Sequence, residues 1–426
     1  MKKKIAIVGS GISGLSCAYL LSRSAEVTVF EANDYIGGHT ATKTVSVNGK
    51  SFNIDTGFIV FNDWTYPNFL KLIEQLGVSK QATEMSFSVH NEATKMEYNG
   101  NNLNSLFAQR RNLISPQFWR FVRDILRFNK LCKLALINNQ YSPDMTLGEF
   151  VQSKGFSKLF LNNYILPMCA AIWSASLEQS ANFPLQFFLQ FFNNHGLLNI
   201  TNRPQWYTIV GGSNAYIPPL IQAFKDKLYL NTPVSSIEFN EDGVKLTANN
   251  QTYPFDEIIF ACHSDQALKI LNKSNCPDTY LRKVNAVLGA IPYETNKVVL
   301  HTDTSVLPDR KLAWASWNYR LSGAENEHSS LAKVSYNMNI LQKLDATETF
   351  IVSLNDDGHI SENKILGEYH YAHPQFSQAM VAAQGRRNEI CGINGIHFCG
   401  AYWYNGFHED GVRSALDVCA RFGETL

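Results

Sequence analysis

A glycine pattern that begins at the ninth residue constrains the fold more than any other feature of the chain. Gly9, Gly11 and Gly14 form a G-x-G-x-x-G sequence directly after the β-branched run Ile5–Val8 and before an apolar helical pattern over residues 15–24. This order predicts a buried strand, a tight turn and a helix. In such a turn the first glycine permits the bend, the second lets backbone approach a pyrophosphate, and the third lets helix and strand touch. The pattern therefore predicts a dinucleotide site at a helix N-terminus.

A second strand is predicted over Val27–Phe30, and it ends in Glu31, seventeen residues after Gly14. A carboxylate at this place can accept two hydrogen bonds from an adenosine ribose and disfavours a 2′-phosphate, so NADP is not expected. The alternative interpretation is a chance glycine turn followed by a surface glutamate. The strand–turn–helix–strand context favours the nucleotide site.

Composition excludes several classes of function. The chain has 426 residues with 37 basic and 37 acidic side chains, and this neutral balance disfavours a nucleic-acid partner. Eight cysteines include no C-x-x-C pair and no Cys/His cluster with zinc spacing, which predicts reduced thiols, a cytoplasmic location and no metal site. No apolar run is long enough to span a membrane, although peripheral membrane contact stays open. Lys2–Lys4 before an apolar run resembles a secretory signal, but the glycine spacing disfavours that interpretation.

The middle of the chain, residues 104–202, has a mostly helical pattern. Its most apolar part contains Phe187, Phe188 and Phe191 on one helical face. Core packing is the favoured interpretation, and the alternatives are the wall of an apolar substrate channel or a membrane-surface patch. Further on, the pattern predicts an antiparallel sheet, with strands over Lys297–Thr302, Leu312–Trp317, Ala332–Met338 and Phe350–Leu354.

The segment Glu31–Thr40, EANDYIGGHT, resembles the E-x5-G-G-[RH] sequence of the flavin-containing amine oxidase and phytoene desaturase superfamily. Asp55–Phe58 resembles the family's turn beside the flavin ring, and Asn231–Ile237 resembles its strand with a main-chain contact to adenine. Gly400–Val412 resembles its last strand and the helix aimed at the flavin. The resemblance covers nearly the whole chain and implies non-covalent FAD. It implies cofactor contacts at Gly9, Gly11, Ser13, Gly14, Glu31, Ala32, Gly37, Gly38, His39, Thr40, Thr56, Gly57, Phe58, Val234, Gly400, Ala401, Asp410, Gly411 and Val412.

Two of these positions depart from the family. His39 stands where many members carry arginine, and Ala401 replaces a common acidic residue. The resemblance implies an α/β fold in which a Rossmann-like FAD-binding domain of the two-dinucleotide-binding-domain type is interleaved with an α+β substrate domain. The substrate domain is expected to have an antiparallel sheet and a helical cap. We expect residues 1–80, 205–285 and 391–426 in the first domain, and residues 81–204 and 286–390 in the second.

Three side chains are catalytic candidates because the resemblance places them near the flavin, which takes a hydride at its N5 atom in this superfamily. Lys297 aligns with a lysine that holds a water at N5, and the alternative is a surface lysine at a strand start. His408 precedes the flavin-facing helix and could accept a proton; the alternative is a cap or a partner of a neighbouring side chain. His373 precedes a proline and is expected to line the pocket.

The substrate is expected to be apolar. Phe407 falls where monoamine oxidases place one tyrosine of an aromatic cage, which weakens the case for an amine. Several segments resemble a bacterial branch similar to the flavoprotein segment of plant cyclopropane fatty acid synthases, which implies acyl-chain chemistry by analogy. We expect an FAD-dependent oxidoreductase that is reoxidised by oxygen or a carrier. The alternatives are a flavin-dependent isomerase and a non-catalytic flavin-binding partner of a lipid methyltransferase; the oligomeric state is left open.

Overall fold

The computed structural model describes residues 2–138, 141–142, 144–240, 243–323 and 327–426, and it arranges most of them around two large hydrophobic cores. Within these ranges, we find no helix with both the length and the apolar character that crossing a bilayer requires.

A parallel sheet forms the centre of the first core. Its strands pair in the order Leu228–Tyr229, Glu26–Phe30, Lys4–Val8, Glu257–Phe260 and Ile396–Phe398. Apolar side chains from both faces of these strands are buried, as expected for a sheet covered on both sides. The carboxyl ends of the two central strands lead to Gly9 and Ala261, which meet at one edge of the sheet. Nucleotides bind at such an edge in α/β proteins.

Helices and a small antiparallel sheet cover the parallel sheet. The helices of this core are Ile12–Leu21, Pro67–Gln75, Ile217–Ile221, Ser264–Asn272, Asp278–Leu288, Gln378–Gly385 and His408–Cys419. The antiparallel strands are Val234–Asn240, Gly243–Ala248 and Gln251–Phe255. The first and the last of these helices contact each other, so the two ends of the chain meet in one core.

A larger sheet and a group of helices form the second core. The strands pair in the order Ile365–Pro374, Tyr293–His301, Ile351–Leu354, Val334–Asn337, Trp317–Leu321, Phe87–Asn91 and Met96–Asn99. The α-helices are Leu103–Leu106, Pro116–Asn138, Leu147–Ser153, Lys158–Phe160, Leu166–Trp173, Leu177–Ala181, Leu185–Asn194 and Met338–Leu341, with a π-helical turn at Leu161–Ile165. The helical prediction for residues 104–202 agrees with this arrangement.

Small sheets and 3₁₀ turns are the remaining elements of the described residues. Two small sheets comprise Thr42–Val47 with Lys50–Asp55, and Phe61–Asn62 with Trp206–Ile209 and Lys80–Thr83. The 3₁₀ turns are Arg110–Ile114, Ser213–Tyr216, Lys225–Lys227, Thr304–Val306, Lys311–Ala313, Glu362–Lys364, Arg387–Glu389, Ala401–Trp403 and Ala420–Phe422.

The structure differs from the sequence predictions at several elements. The predicted strand Leu312–Trp317 is wrong, because residues 311–313 form a helical turn and the strand begins at Trp317. The Trp314 indole donates a hydrogen bond to the Pro308 carbonyl at 2.7 Å, which holds this segment as a loop. The large sheet is also not wholly antiparallel, because Trp317–Leu321 pairs in parallel with Phe87–Asn91.

The packing crosses the domain boundaries expected from the sequence. Ala41, Ile54 and Ile59 belong to the second core, although they fall within residues 1–80. Met380 and Ala383 belong to the first core, although they fall within residues 286–390. The interleaving is therefore finer than the expected boundaries, and the assignment of each core to a cofactor or a substrate role stays a prediction.

Candidate functional site

The glycine turn after the first strand lies beside an open groove. Gly9 has φ +107°, a backbone conformation that favours glycine. A Cβ on Gly14 would lie 2.0 Å from the Gly9 carbonyl oxygen, so a side chain there would push the helix off the turn. A Cβ on Gly11 would meet no atom within 4 Å, which leaves room for a ligand. The helix Ile12–Leu21 therefore begins at open space, where its unpaired N–H groups attract an anion.

The Glu31 carboxylate is fixed next to this groove. One oxygen, Oε2, accepts hydrogen bonds from the Ser10 backbone N at 2.8 Å and from Ser10 Oγ at 2.7 Å. The other oxygen, Oε1, accepts from the Asn33 backbone N at 2.9 Å. Because a carboxylate has about four acceptor positions, one position on Oε1 remains for a ligand hydroxyl. Glu31 is buried and lines the groove.

A single cavity of about 910 Å³ joins the groove to the second core, a volume near the upper end for ligand pockets. It brings together fourteen of the nineteen residues expected to contact the cofactor and two of the three catalytic candidates. These lining residues are Gly9, Gly11, Ser13, Glu31, Ala32, Gly37, Gly38, His39, Thr56, Gly57, Phe58, Val234, Gly400, Ala401, His373 and His408.

The other five expected contacts lie behind the cavity wall. Gly14 supports the turn, and Val412 is buried in the first core. Thr40 Oγ1 is within hydrogen-bond distance of Tyr216 OH and lies 3.2 Å from His408 Nε2. Asp410 and Gly411 belong to the helix His408–Cys419, described next.

The start of the helix His408–Cys419 is locked by its own residues. Asp410 Oδ2 accepts a hydrogen bond from the Phe407 backbone N at 2.9 Å, which caps the helix. A Cβ on Gly411 would lie 2.7 Å from Ile12 Cγ2, so this glycine lets the last helix approach the first. Burial raises the pKa of Asp410 to about 7. Asp410 and Gly411 hold the start of this helix in place, whereas Phe407 and His408, at the same helix start, line the cavity.

The structure places Lys297 at the surface, outside the cavity lining. Its Nζ lies 2.7 Å from Glu368 Oε1, and each side chain is 43% exposed. The next residue of the strand, Val298, lines the cavity. Successive side chains of a strand point to opposite faces, so Lys297 points away from the cavity.

Several histidines line the cavity, and three of them, His39, His373 and His408, were site candidates from the sequence. The rings of His39 and His373 lie 5.4 Å apart, and His373 Nδ1 lies 3.1 Å from Asn296 Nδ2. His39 Nε2 has no hydrogen-bond partner among the described residues. His408 Nε2 lies 2.8 Å from Tyr216 OH, and its ring stacks on Phe58 at 3.5 Å.

These histidines are neutral at physiological pH. Burial lowers the pKa of His373 to about 4 and that of His408 to about 3. Burial and the neighbouring histidines hold the pKa of His39 well below its ordinary value. Their rings can therefore exchange hydrogen bonds with a ligand, but they supply no positive charge there.

The far end of the cavity is an aromatic chamber in the second core. Phe191 packs against Phe407 with ring centroids 5.2 Å apart and against His195 at 3.8 Å. Arg203 is the charged side chain of this end, because the other charged lining residues that the structure describes, Glu31 and Lys269, lie at the nucleotide end. The aromatic lining from the second core and its neighbours includes Phe87, Tyr98, Tyr164, Trp173, Phe191, Trp206, Trp317, Tyr336, Phe376 and Phe407.

Most chamber residues were not identified from the sequence. They come from strands and helices far apart in the chain, so no local spacing links them. One signal was available: Tyr369, Tyr371 and His373 alternate along the strand Ile365–Pro374. Tyr371 and His373 line the cavity, and Tyr371 OH lies 2.8 Å from Thr56 Oγ1.

The described residues include two groups close enough to hold a metal ion: His90, Glu97 and Asp309, and Asp356, Asp357 and His359. Cations of the chain already neutralise both groups. Arg310 Nη1 lies 3.0 Å from Glu97 Oε2, and Lys333 Nζ lies 2.8 Å from Asp357 Oδ2. We therefore propose no metal site at either group.

Comparison with curated proteins gives several relatives. Human flavin-containing amine oxidase B is 26% identical over 282 residues, which cover 63% of this chain and 52% of that protein. The L-amino-acid oxidase of Demansia vestigiata is 22% identical over 283 residues, with the same coverage of 63% and 52%. The chain thus spans about half the length of the curated relatives it matches.

Solved structures share the fold over nearly the full chain. Cyclohexylamine oxidase from Brevibacterium oxydans is 16% identical with a TM-score of 0.69, covering 99% of this chain and 98% of that one. A CLA-producing fatty acid isomerase from P. acnes is 13% identical with a TM-score of 0.70, at 99% and 98% coverage. The family model described as flavin containing amine oxidoreductase matches residues 12–350. The chain therefore belongs to the flavin-containing amine oxidoreductase family.

Proposed function

We propose that this protein is an FAD-dependent oxidoreductase that acts on an apolar substrate. The observation that carries the proposal is the continuous cavity, which has a glycine-lined groove at one end and an aromatic chamber at the other. Such a cavity suits an elongated cofactor whose reactive ring lies between the two cores. When bound, the flavin would supply the redox chemistry by accepting a hydride at N5.

The residues of the groove fit the cofactor. Gly11 leaves open space at a helix start for a pyrophosphate, and Glu31 keeps an acceptor position for a ribose hydroxyl. The unpartnered His39 Nε2 is a buried polar atom that a ligand could satisfy. The cysteine among the described lining residues, Cys262, lies beside Gly9 at the nucleotide end. This placement supports non-covalent binding.

The chain's own residues would bind, orient and shield the substrate. Phe407 and His408 present the start of the helix His408–Cys419 to the cavity, and the positive end of a helix stabilises developing negative charge. The aromatic walls would shield the apolar part of a bound substrate from water. We propose that His373 and His408 orient groups as neutral rings rather than act as bases, because their pKa values are about 4 and 3.

The chamber favours an uncharged or acidic apolar substrate over a cationic amine. None of its described lining residues is a carboxylate that could pair with an ammonium group. Arg203 instead complements a carboxylate at the end of an acyl chain. This charge pattern supports the acyl-lipid chemistry expected from the sequence. The eight free cysteines support a cytoplasmic location.

The test is anaerobic reduction of the bound flavin. Purified protein would be mixed with octadecenoic acid, its methyl ester or phenylethylamine without oxygen, and the visible flavin absorbance followed. We expect the acyl substrates to bleach the flavin and the amine to leave it oxidised. Bleaching by the amine alone would disprove the acyl assignment, and double-bond migration without bleaching would indicate an isomerase instead.

A variant at a surface residue tests whether the reaction depends only on residues that line the cavity. Lys297→Met should bleach at the wild-type rate, because Lys297 is paired with Glu368 outside the cavity. A hundredfold slower reaction in Lys297→Met would instead show that Lys297 takes part in catalysis.

A further inference from the structure

The helix Pro116–Asn138 has an unusual solvent-facing side. Its inner side packs into the second core through Phe118, Phe121 and Phe128. Four large apolar residues nevertheless face outward: Trp119 is 49% exposed, Leu126 47%, Leu134 41% and Ile137 77%. Exposed apolar side chains that cluster on one element mark an interaction surface more often than chance.

Basic side chains share this outward side with the apolar ones. Arg120, Arg123 and Lys130 are exposed, and no ion pair to them occurs within the described parts of the chain. The one acidic residue of the helix, Asp124, is buried and accepts a hydrogen bond from the Ser157 backbone N at 3.1 Å. The whole chain has a net charge of zero, so this face is a local concentration of positive charge.

The apolar surface continues onto the segment before the helix. The Trp119 indole donates a hydrogen bond to the Leu113 carbonyl at 2.8 Å, which places the two residues together. Leu103 is 75% exposed and Ile114 is 87% exposed. We call the combined surface the basic apolar face, formed by Leu103, Leu113, Ile114, Trp119, Arg120, Arg123, Leu126, Lys130, Leu134 and Ile137.

The cavity opens beside the same helix. Lys133 Nζ donates to Asn199 Oδ1 at 2.6 Å, and Arg203 Nε donates to the Asn199 carbonyl at 2.7 Å. Arg203 is exposed and also lines the cavity, so the chamber reaches solvent at this point. At the other end of the helix, Asn101 is an exposed lining residue two positions from Leu103.

We propose that the basic apolar face docks on the surface of an anionic lipid bilayer. Cations without acidic partners complement the phosphate groups of such a surface, and an exposed tryptophan among aliphatic side chains suits the boundary between headgroups and acyl chains. A neutral bilayer would use the apolar residues but not the cations. Docking would turn the opening at Arg203 towards the lipid, so an apolar substrate could reach the chamber without crossing water.

The test is sedimentation of the purified protein with vesicles, which reads binding and does not depend on turnover. The vesicles contain phosphatidylcholine alone or mixed with phosphatidylglycerol. We expect binding to the mixed vesicles that weakens as salt is raised, and at least tenfold weaker binding to phosphatidylcholine alone. Because each cation near an anionic surface strengthens binding about fivefold, Arg120→Gln, Arg123→Gln and Lys130→Gln together should weaken it on the order of a hundredfold.

The matched control replaces three exposed lysines on the part of the molecule built around the first core: Lys225→Gln, Lys227→Gln and Lys273→Gln. This control variant should bind the vesicles like the wild type. Both variants remove three surface charges, and circular dichroism checks that each is folded. Absence of vesicle binding by the wild type would overturn the proposal, as would equal weakening by the two variants. A dimer in solution that the Arg120/Arg123/Lys130 variant abolishes, without vesicle binding, would assign the face to a protein partner instead.

Discussion

Two glycines of the first turn, Gly11 and Gly14, face opposite sides of the same backbone. Gly14→Ala would place its methyl group 2.0 Å from the Gly9 carbonyl oxygen. Such overpacking lowers the free energy of unfolding by about 1–3 kcal/mol. Gly11→Ala meets no atom within 4 Å and starts from φ −67°, which alanine adopts freely. Its methyl group instead enters the groove, so we expect FAD affinity to fall at least tenfold at nearly unchanged stability.

Urea unfolding of the flavin-free protein and FAD titration separate these two effects. If Gly14→Ala keeps wild-type stability, the close contact of helix and turn at this glycine is not required for the fold. If Gly11→Ala binds FAD like the wild type, the groove is not a pyrophosphate site.

His408 gives a prediction about pH. Burial lowers its pKa from an ordinary value of 6.5 to about 3 in the folded protein. The unfolded chain therefore takes up a proton as pH falls below about 6.5, while the folded chain stays neutral. The stability that His408 contributes is present above pH 6.5 and declines as pH falls towards 3. His408→Gln cannot titrate, so its stability relative to the wild type should improve as the solution becomes more acidic.

The measurement is urea unfolding of wild type and His408→Gln at pH 7.5 and pH 5. At pH 7.5 the variant should be less stable by about 1–2 kcal/mol, because the contacts to Tyr216 and Phe58 are weakened. At pH 5 the difference should shift by about 2 kcal/mol in favour of the variant. A pH-independent difference would mean that His408 has the same pKa in the folded and the unfolded chain, so that burial does not lower it.

Some site residues could be predicted from the sequence better than others. The positions of the glycine turn and of Glu31 beside one groove could be predicted, because they depend on backbone geometry within about thirty residues. Thr40, Asp410 and Gly411 lie near the cavity, as the family resemblance implied, but they pack behind its wall. Lys297 was ambiguous because the side of a strand that a residue faces depends on where the strand starts, and the strand starts at Tyr293.

At the scale of elements, the helix Leu185–Asn194 divides its phenylalanines between two environments. Phe188 is fully buried and packs against Phe192 with ring centroids 3.9 Å apart, whereas Phe191 lines the chamber. Phe188→Ala should therefore lower the free energy of unfolding by about 3–5 kcal/mol. Phe191→Ala should cost less stability, since its ring borders the cavity, and it should raise KM for the proposed acyl substrate about tenfold or more.

The comparison needs the apoprotein stability and the KM of each variant that folds. Equal loss of stability in both variants, with unchanged KM in Phe191→Ala, would show that the helix only supports the core. The sequence interpretation favoured core packing for this helix and left a substrate-channel wall or a membrane-surface patch as alternatives. The structure places Phe188 in the core and Phe191 on the cavity wall, and a substrate role for that wall stays a prediction.

Predictions of whole elements were most accurate where the pattern was local. The helical pattern over residues 104–202 was predicted correctly, whereas the strand expected at Leu312–Trp317 was not. Its apolar residues resemble a strand, but the Trp314 indole bonds to the Pro308 carbonyl and holds a loop. The parallel pairing of Trp317–Leu321 with Phe87–Asn91 joins segments more than two hundred residues apart, so no short-range signal could reveal it.

At the scale of the molecule, the cavity is lined by residues of both cores. A ligand that is only one part of FAD should therefore stabilise only the core that it contacts. ADP carries only the part of FAD that would contact Gly11, Glu31 and Val234 in the first core. FAD would in addition reach residues 56–60, of which Ile59 and Val60 pack in the second core, and the strand Ile365–Pro374. A ligand whose free concentration is about 1,000 times its Kd raises the free energy of unfolding of the region it binds by about 4 kcal/mol. ADP should therefore protect the first core alone, whereas FAD should protect both.

Hydrogen exchange of the flavin-free protein with each ligand measures this difference. We expect slower exchange around residues 9–14 and 31–33 with either ligand, and around residues 56–60 and 371–374 with FAD only. Riboflavin at the same occupancy should give the complementary footprint, because it lacks the adenosine and the phosphates. If ADP protected both regions equally, the two cores would respond as one cooperative unit. The cavity would then not be what couples them, and the placement of the flavin ring between the cores would lose its main support.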